Sequence, residues 1–255
     1  MERWRGKHAL VTGASAGIGF AIAEGLARAG VNVIGCARNP STLEELGEKL
    51  PPGSGKIFPV KTDLEKEEEI SALFHEIQTK WGHVDILVNN AGGGKMGSLE
   101  SQSTEDWQHM FRLNVLATSI CTRETLKLLE KDGIEDGHII NINSIAGHTN
   151  TALSMDGIGF YSGAKHMITA MTKNLYTELA KKKSKIRVTS LSPGLVSSRV
   201  VEQYKEALGE NIKGTFLDAL ALECKDISDA VLYVVGSPSH VVITELTIVP
   251  SGQIY

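Results

Sequence analysis

The clearest sign of the fold is a glycine-rich segment near the start of the chain, Thr12-Gly13-Ala14-Ser15-Ala16-Gly17-Ile18-Gly19. It follows a β-like run at 8–11 and opens a helical pattern at 17–29. Such a turn presents backbone N–H groups to a phosphate, where the helix dipole favours negative charge. Because the spacing Gly-x3-Gly-x-Gly differs from the common dinucleotide pattern, a plain glycine-rich turn is an equally good interpretation of this segment alone.

Strand-like and helical patterns alternate along the rest of the chain. Further strands are predicted at 31–36, 57–60, 84–88, 138–142, 186–191 and 246–249, and further helices at 41–50, 65–80, 103–130, 159–182 and 226–235. Strands that alternate with helices form right-handed βαβ units around a parallel sheet. We therefore predict an α/β fold: one domain over 1–255, with a Rossmann-type, doubly wound parallel sheet of seven strands and helices on both faces. Ser41 with Glu44 predicts a capping box for the second helix, and Ser103 or Thr104 caps the long fourth helix.

The composition excludes several classes of function. The 255 residues are 42% hydrophobic and 22% charged, which is typical of a folded core and not of a disordered chain. A net charge of −4 argues against nucleic acid or an anionic membrane as a partner, and no apolar run is long enough for a membrane span. Three widely spaced cysteines and a charged N-terminus predict a cytoplasmic protein. The histidines lack metal-ligand spacing, so we predict no metal site.

The residues after the second and third strands bear on the cofactor. Ala37-Arg38-Asn39 stand where an NAD-binding fold carries an acid for the adenosine ribose. An acid would repel a 2′-phosphate, whereas a guanidinium binds it with two hydrogen bonds, so NADP(H) is favoured over NAD(H). The alternative is that Arg38 is an ordinary exposed arginine. Asp63 can accept a hydrogen bond from an adenine amino group or act as a helix N-cap, and the two roles do not exclude each other.

Tyr161-Ser162-Gly163-Ala164-Lys165 is the strongest chemical signal. Positions four apart share one helix face, so Tyr161 and Lys165 can reach one site. A tyrosine titrates near 10, and acid–base work near neutral pH needs a positive charge beside it. Alone, the pair is more often an ordinary helix surface. Ser144 favours a catalytic reading, because it ends the fifth strand at the sheet edge that carries the glycine turn.

Taken together, these motifs resemble the classical short-chain dehydrogenase/reductase (SDR) family. They occur in the family's order over nearly the whole chain: the 12–19 turn, Asp63, Asn89-Asn90-Ala91-Gly92, Asn114, Ser144, Tyr161, Lys165 and Pro193-Gly194. The segments at 1–7, 35–38 and 137–144 look closest to the group called SDR family member eleven, which is similar to the insect farnesol dehydrogenases.

The resemblance implies a role for each matching residue. Tyr161 would exchange a proton with the substrate oxygen, Ser144 would hydrogen-bond the same oxygen, Lys165 would hold the ribose and lower the Tyr161 pKa, and Asn114 would position a relay water. The implied cofactor residues are Gly13, Ser15, Ala16, Gly17, Ile18, Gly19, Arg38, Asn39, Glu44, Asp63, Leu64, Asn90, Ala91, Gly92, Tyr161, Lys165, Pro193, Gly194, Val196 and Ser198. The candidate substrate contacts are Ser144, Tyr161, His148, Met155 and Phe160.

Two features depart from the family pattern. Ser198 stands where threonine is common, which weakens the implied contact to the nicotinamide carboxamide. Ser144 and Tyr161 are 17 residues apart, more than the family's usual spacing, so we expect an enlarged substrate loop at about 145–160. A lid is expected at about 195–220.

The substrate loop and the lid are rich in apolar residues, which favours an apolar ketone or aldehyde and its alcohol. The alternative is that these residues only pack the lid onto the domain. The resemblance points to ketosteroids first, and then to farnesol-like terpenoid alcohols or to broad carbonyl reduction. A non-catalytic NADPH-binding protein is disfavoured, because all four catalytic residues are present. The helices at 103–130 and 159–182 have more apolar surface than one sheet face needs, and the family resemblance implies that they form the interface of a homodimer or homotetramer.

Overall fold

Seven parallel strands form one sheet, and the computed structural model describes residues 1–95, 97–149, 158–198, 201 and 220–253. The strands are β1 (His8–Thr12), β2 (Asn32–Ala37), β3 (Ile57–Lys61), β4 (Ile86–Asn89), β5 (His138–Ile142), β6 (Arg187–Pro193) and β9 (Glu245–Ile248). Their order is β3-β2-β1-β4-β5-β6-β9, and every neighbouring pair is parallel. The predicted doubly wound α/β sheet is therefore confirmed.

Helices cover both faces of the sheet. They are α1 (Gly17–Arg28), α2 (Ser41–Lys49), α3 (Glu67–Trp81), α4 (Thr104–Phe111), α5 (Ala117–Lys131), α6 (Gly159–Lys181) and α7 (Cys224–Gly236). Alternate strand residues serve the two cores: Val11 packs with α1, α2 and α7, whereas Leu10 packs with α3, α5 and α6. This alternation follows from the period of two along a strand, and it explains why the strands are apolar on both sides.

The strand order reverses between β1 and β4. In an open α/β sheet, a ligand binds in the crevice outside the carboxyl ends of the strands at such a point. The segments that leave these ends are the glycine turn after β1, 90–95 after β4, 143–149 after β5 and 194–198 after β6. The sheet therefore brings the motifs singled out in the sequence to one edge.

The predicted long helix at 103–130 is interrupted. A π-helical turn at Arg112–Leu116 separates α4 from α5. Ser103 caps α4 as predicted: its hydroxyl accepts the Asp106 N–H, and the Asp106 carboxylate accepts the Ser103 N–H. Asn114 lies in this π-helical turn and therefore does not have regular α-helical geometry.

Two predicted helix caps are wrong in detail. The capping box of Ser41 and Glu44 is absent, because α2 begins at Ser41 itself, after Pro40, without a side-chain cap. Asp63 does not cap α3, which begins at Glu67; its carboxylate accepts the Glu65 N–H at 3.2 Å in the preceding turn.

A short pair of strands lies beside the main sheet and was not predicted. β7 (Val196–Ser197) pairs in parallel with β8 (Leu222–Glu223) immediately before α7. Two predicted features lie largely outside the described residues. They are the part of the substrate loop at 150–157, which contains Met155, and most of the expected lid. Within the described part of the chain, no helix is both long and apolar enough to span a membrane.

Candidate active site

A cleft of about 740 Å³ opens at the carboxyl edge of the sheet, where the strand order reverses. Ser144 lines it together with all but one of the predicted cofactor residues: Gly13, Ser15, Ala16, Gly17, Ile18, Gly19, Arg38, Asn39, Asp63, Leu64, Asn90, Ala91, Gly92, Tyr161, Lys165, Pro193, Gly194, Val196 and Ser198. The exception is Glu44, which is exposed on α2 and does not line the cleft.

The glycine turn has the conformation and the free space that a phosphate cradle needs. Gly13 and Gly17 adopt φ values of +64° and +58°, which favour glycine. A Cβ on Gly19 would overlap the Asn90 amide and the Gly13 carbonyl. Helix α1 starts after Ala16 with no side-chain cap and no acidic residue in its first turn. Its first N–H groups therefore remain available to an anion at the cleft, as the helix dipole favours.

Hydrogen bonds from Thr12 and Asn90 lock the glycine turn to the loop after β4. The Thr12 hydroxyl donates to Val88 O at 3.3 Å and accepts the N–H groups of Asn90 at 2.9 Å and Ala91 at 3.0 Å. The Asn90 amide donates back to Thr12 O at 2.9 Å and Gly13 O at 3.2 Å. The two loops therefore form one rigid wall of the cleft.

Arg38 stands at the rim of the same cleft, at the end of β2. It is exposed, and among the described residues no carboxylate forms an ion pair with it. Thr42 donates its hydroxyl to Ser15 O at 2.7 Å, which ties the start of α2 to the glycine turn. Arg38 therefore lines the cleft beside an α2 that is tied to the glycine turn, and the residue before it, Ala37, is not acidic.

Tyr161 and Lys165 lie on one face of α6, as predicted. The Lys165 ammonium is 5.8 Å from the centre of the Tyr161 ring. Lys165 is only 6% exposed and donates to Ile142 O at 2.9 Å. Burial lowers the pKa of Lys165 to about 8, because removal from water penalises the charged form. A cation of this kind next to a phenol favours the phenolate.

Ser144 faces the cleft from a tight turn after β5. It is the N-cap of the 3-10 turn Ile145–Gly147, and its Oγ accepts the Ala146 N–H at 3.1 Å. Because the backbone already donates to this oxygen, the hydroxyl proton is left to donate to a ligand. The geometry is suited to hydrogen-bonding a substrate oxygen.

The Asn114 side chain holds the loop after β4, and this loop lies between Asn114 and Lys165. Its Nδ2 donates to Gly93 O and Met110 O, both at 2.8 Å, and its Oδ1 accepts the Gly93 N–H at 3.2 Å. A Cβ on Gly92 would lie 2.7 Å from the Asn114 Oδ1 and 3.8 Å from the Lys165 Nζ. Both polar atoms of the Asn114 side chain are therefore engaged by protein groups, a detail that sequence spacing does not reveal.

Two predicted substrate contacts do not line the cleft. His148 contacts Ser192 Oγ at 2.9 Å and Glu245 Oε1 at 3.3 Å instead. Phe160 stacks on Trp107, with ring centroids 5.6 Å apart and planes inclined by 9°. All three partners, Ser192, Glu245 and Trp107, come from distant segments, and nearness in sequence to Ser144 or Tyr161 does not reveal these contacts.

The Tyr161 end of the cleft is also lined by Gly94 and Lys95 after β4, and by Ile145, Ile158, Leu195 and Val201 from the expected substrate loop and lid. Most are apolar, and the Lys95 ammonium is paired with the Asp106 carboxylate. Gly94 and Lys95 were not predicted, and the run Gly92-Gly93-Gly94-Lys95 after β4 was the signal for them. Among the described residues, no group of three or more acidic, histidine or cysteine side chains could hold a metal ion.

Comparisons with known proteins agree with this arrangement. A family model described as short chain dehydrogenase matches residues 7–209. Dehydrogenase/reductase SDR family member 11 of Homo sapiens is 40% identical over 256 aligned positions, which span 100% of this chain and 98% of the human protein. Farnesol dehydrogenase of Aedes aegypti is 38% identical over 255 positions and 99% of each chain.

Two solved structures extend the comparison to three dimensions. The closed form of a serine dehydrogenase complexed with NADP⁺ matches with a TM-score of 0.85 and 32% identity over 97% of this chain and 96% of that one. A metagenomic short-chain oxidoreductase in complex with NADP matches with a TM-score of 0.79 and 26% identity over 97% and 98%. The protein therefore belongs to the short-chain dehydrogenase/reductase family and is an oxidoreductase of CH–OH and C=O groups that uses a nicotinamide cofactor.

Proposed function

We propose that this protein is an NADP(H)-dependent oxidoreductase that interconverts an apolar ketone or aldehyde with its alcohol. The observation that carries the proposal is one continuous cleft with Arg38 at one end and Ser144, Tyr161 and Lys165 at the other. A cleft of about 740 Å³ has room for an extended dinucleotide with a small-molecule substrate at its Tyr161 end.

The walls of the cleft fit a dinucleotide. The glycine turn and the uncapped start of α1 would take the pyrophosphate, and Asp63 and Leu64 would flank the adenine. Arg38 supports a 2′-phosphate, because its guanidinium is free of carboxylate partners among the described residues. The solved relatives complexed with NADP⁺ and NADP support the same preference. The nicotinamide would lie among Pro193, Gly194, Val196 and Ser198, which line the opposite part of the cleft.

When bound, the cofactor supplies a hydride in reduction and accepts one in oxidation. Tyr161 donates its phenolic proton to the carbonyl oxygen in the reductive direction and receives the alcohol proton in the reverse direction. Ser144 donates a hydrogen bond to the same oxygen, because its own oxygen already accepts from Ala146. Lys165 stabilises the phenolate of Tyr161 and would hold the ribose hydroxyls of a bound cofactor. Asn114 keeps the loop at Gly93 in place beside Lys165.

We propose an apolar substrate because the Tyr161 end of the cleft is lined by Ile145, Ile158, Leu195 and Val201. A ketosteroid is the first class to test, on the family resemblance. A terpenoid alcohol is the second, and it is supported by the farnesol dehydrogenase of Aedes aegypti, which is 38% identical.

We also propose a homodimer or homotetramer in the cytoplasm. Three exposed apolar side chains support self-association: Leu116 in the π-helical turn before α5, and Met167 and Tyr176 on α6. The three cysteines are free, which suits a reducing compartment.

The test is a panel of ketosteroids, terpenoid alcohols and small dicarbonyls, assayed with NADP(H) and with NAD(H). We expect turnover of apolar members of the panel and a higher kcat/KM with the phosphorylated cofactor. Equal kcat/KM values with NADPH and NADH would overturn the argument from Arg38. Tight NADPH binding without turnover of any substrate would favour a non-catalytic cofactor-binding protein.

A further inference from the structure

Two asparagine–threonine hydrogen bonds join the end of strand β5 and the residue just after it to helix α6 in the protein interior. The Asn141 amide donates to Thr172 Oγ1 at 2.8 Å, and the Asn143 amide donates to Thr169 Oγ1 at the same distance. All four side chains are buried. Because the threonines are three residues apart on one helix face, the two bonds form successive rungs between the strand and the helix.

The two rungs differ in what the threonine hydroxyl reaches next. Thr169 donates to Gly147 O at 2.8 Å, with Lys165 O also within reach at 3.2 Å. Thr172 donates to Ile168 O at 2.8 Å, within its own helix. Only the Thr169 rung therefore connects α6 to the turn that Ser144 begins.

The turn and the end of strand β5 just before it have two further attachments to α6, one each. Ser162, next to Tyr161, donates to Ala146 O at 2.7 Å, and Lys165 donates to Ile142 O at 2.9 Å. The turn also lies directly against the helix, since a Cβ on Gly147 would be 2.7 Å from Lys165 O. The segment that carries Ser144 is thus bound to the helix face that carries Tyr161 and Lys165.

We propose that Asn143 and Thr169 are positioning residues, which fix the Ser144 hydroxyl relative to Tyr161 and Lys165. The inference rests on the proposed function, because it assigns these side chains an effect on that reaction. Ser144 and Tyr161 are 17 residues apart in sequence, and the direct bonds between the Ser144 turn and α6 fix the two catalytic segments to each other locally. Small displacements of reacting groups reduce the rate strongly, so the bonds matter for turnover as well as for folding.

The experiment compares Thr169→Val with Thr172→Val, which remove the same hydroxyl from two buried rungs of one helix. We expect kcat to fall about 10- to 100-fold in Thr169→Val, with the KM for NADPH nearly unchanged, because the Thr169 hydroxyl bonds to Asn143, Gly147 and Lys165 and not to the glycine turn. Thr172→Val should lower the melting temperature but keep kcat close to wild type. Thr169→Ser, which keeps the hydroxyl, should restore kcat. Equal kcat in the two valine variants, or a loss that serine does not rescue, would overturn the proposal.

Amide hydrogen exchange of the cofactor-free protein provides a readout that does not depend on turnover. The Ala146 N–H is bonded to Ser144 Oγ, and the Gly147 N–H to Ser144 O at 2.9 Å. We expect both amides to exchange faster in Thr169→Val than in Thr172→Val when the two variants are compared under conditions that give them the same free energy of unfolding. Unchanged exchange would reject the positioning role, whereas a wild-type protein without turnover would reject the proposed function and leave the exchange result to decide on the rung.

Discussion

Replacement of Lys165 by methionine should stabilise the cofactor-free protein near neutral pH while it removes activity. The Lys165 ammonium is buried, and its partner among the described groups is the Ile142 carbonyl oxygen at 2.9 Å. Methionine has a similar length and no charge, so it fills the same space without the desolvation penalty. A residue that destabilises its own fold is expected at an active site, where function takes precedence over packing.

The magnitude follows from the pKa of Lys165. Its fall from 10.5 to about 8 corresponds to roughly 3 kcal/mol against the charged form in the folded state. Loss of the hydrogen bond to Ile142 O opposes this gain by about 1 kcal/mol. We therefore expect Lys165→Met to raise the free energy of unfolding by about 2 kcal/mol at pH 7.

The direction of the pKa shift determines how the stability difference between wild type and Lys165→Met changes with pH. The pKa is lower in the folded than in the unfolded state, so the wild type carries the full penalty below pH 8 and loses it as the pH rises towards 10.5. The advantage of Lys165→Met should therefore disappear by about pH 10. Urea unfolding of both proteins at several pH values between 7 and 10 measures the difference.

A matched control is available two turns further along α6. Lys173 is exposed, and Lys173→Met should leave the free energy of unfolding and its pH dependence unchanged. A stability difference between wild type and Lys165→Met that stays constant from pH 7 to pH 10 would refute the reasoning, as would a variant less stable than wild type at pH 7.

Three other substitutions test the walls of the cleft. Gly19→Ala should weaken NADPH binding at least about tenfold in calorimetric titration, because the new Cβ overlaps the Asn90 amide; unchanged affinity would contradict the described turn. Thr12→Val leaves the N–H groups of Asn90 and Ala91 without their acceptor and should lower the free energy of unfolding by about 2–4 kcal/mol in urea, whereas a loss below about 0.5 kcal/mol would show that the bonds contribute little. Arg38→Ala should reduce kcat/KM about 10- to 100-fold with NADPH and leave it unchanged with NADH, and an equal loss with both cofactors would remove the assigned role.

Local sequence patterns predicted the sheet, and together with the family resemblance they named most of the residues that line the cleft. The glycine turn, Asn90 and Ser144 each follow a strand, and parallel topology carries strand ends to one edge whatever the details of packing. The π-helical turn at Arg112–Leu116 was not predictable in this way, because it accompanies a contact between Asn114 and Gly93, 21 residues earlier.

The substrate end of the cleft was predicted less well. His148 follows Ser144 closely in sequence, but its ring contacts Ser192 of β6 and Glu245 of β9, and His148 does not line the cleft. The hydrogen bond between Asn143 and Thr169 could not be predicted either, because buried asparagine and threonine residues carry no periodic signal and these two lie far apart in the chain. Tertiary contacts, rather than local patterns, decide where these side chains point.

The most direct test of the proposed chemistry is turnover by Tyr161→Phe with NADPH and the best substrate of the panel. The phenyl ring keeps the shape of the site and removes only the proton donor. We expect kcat to fall at least about 100-fold while the Kd for NADPH, measured by fluorescence titration, stays within about twofold of wild type. Turnover close to wild type would contradict the assignment of Tyr161 as the acid–base residue and, with it, the proposed mechanism.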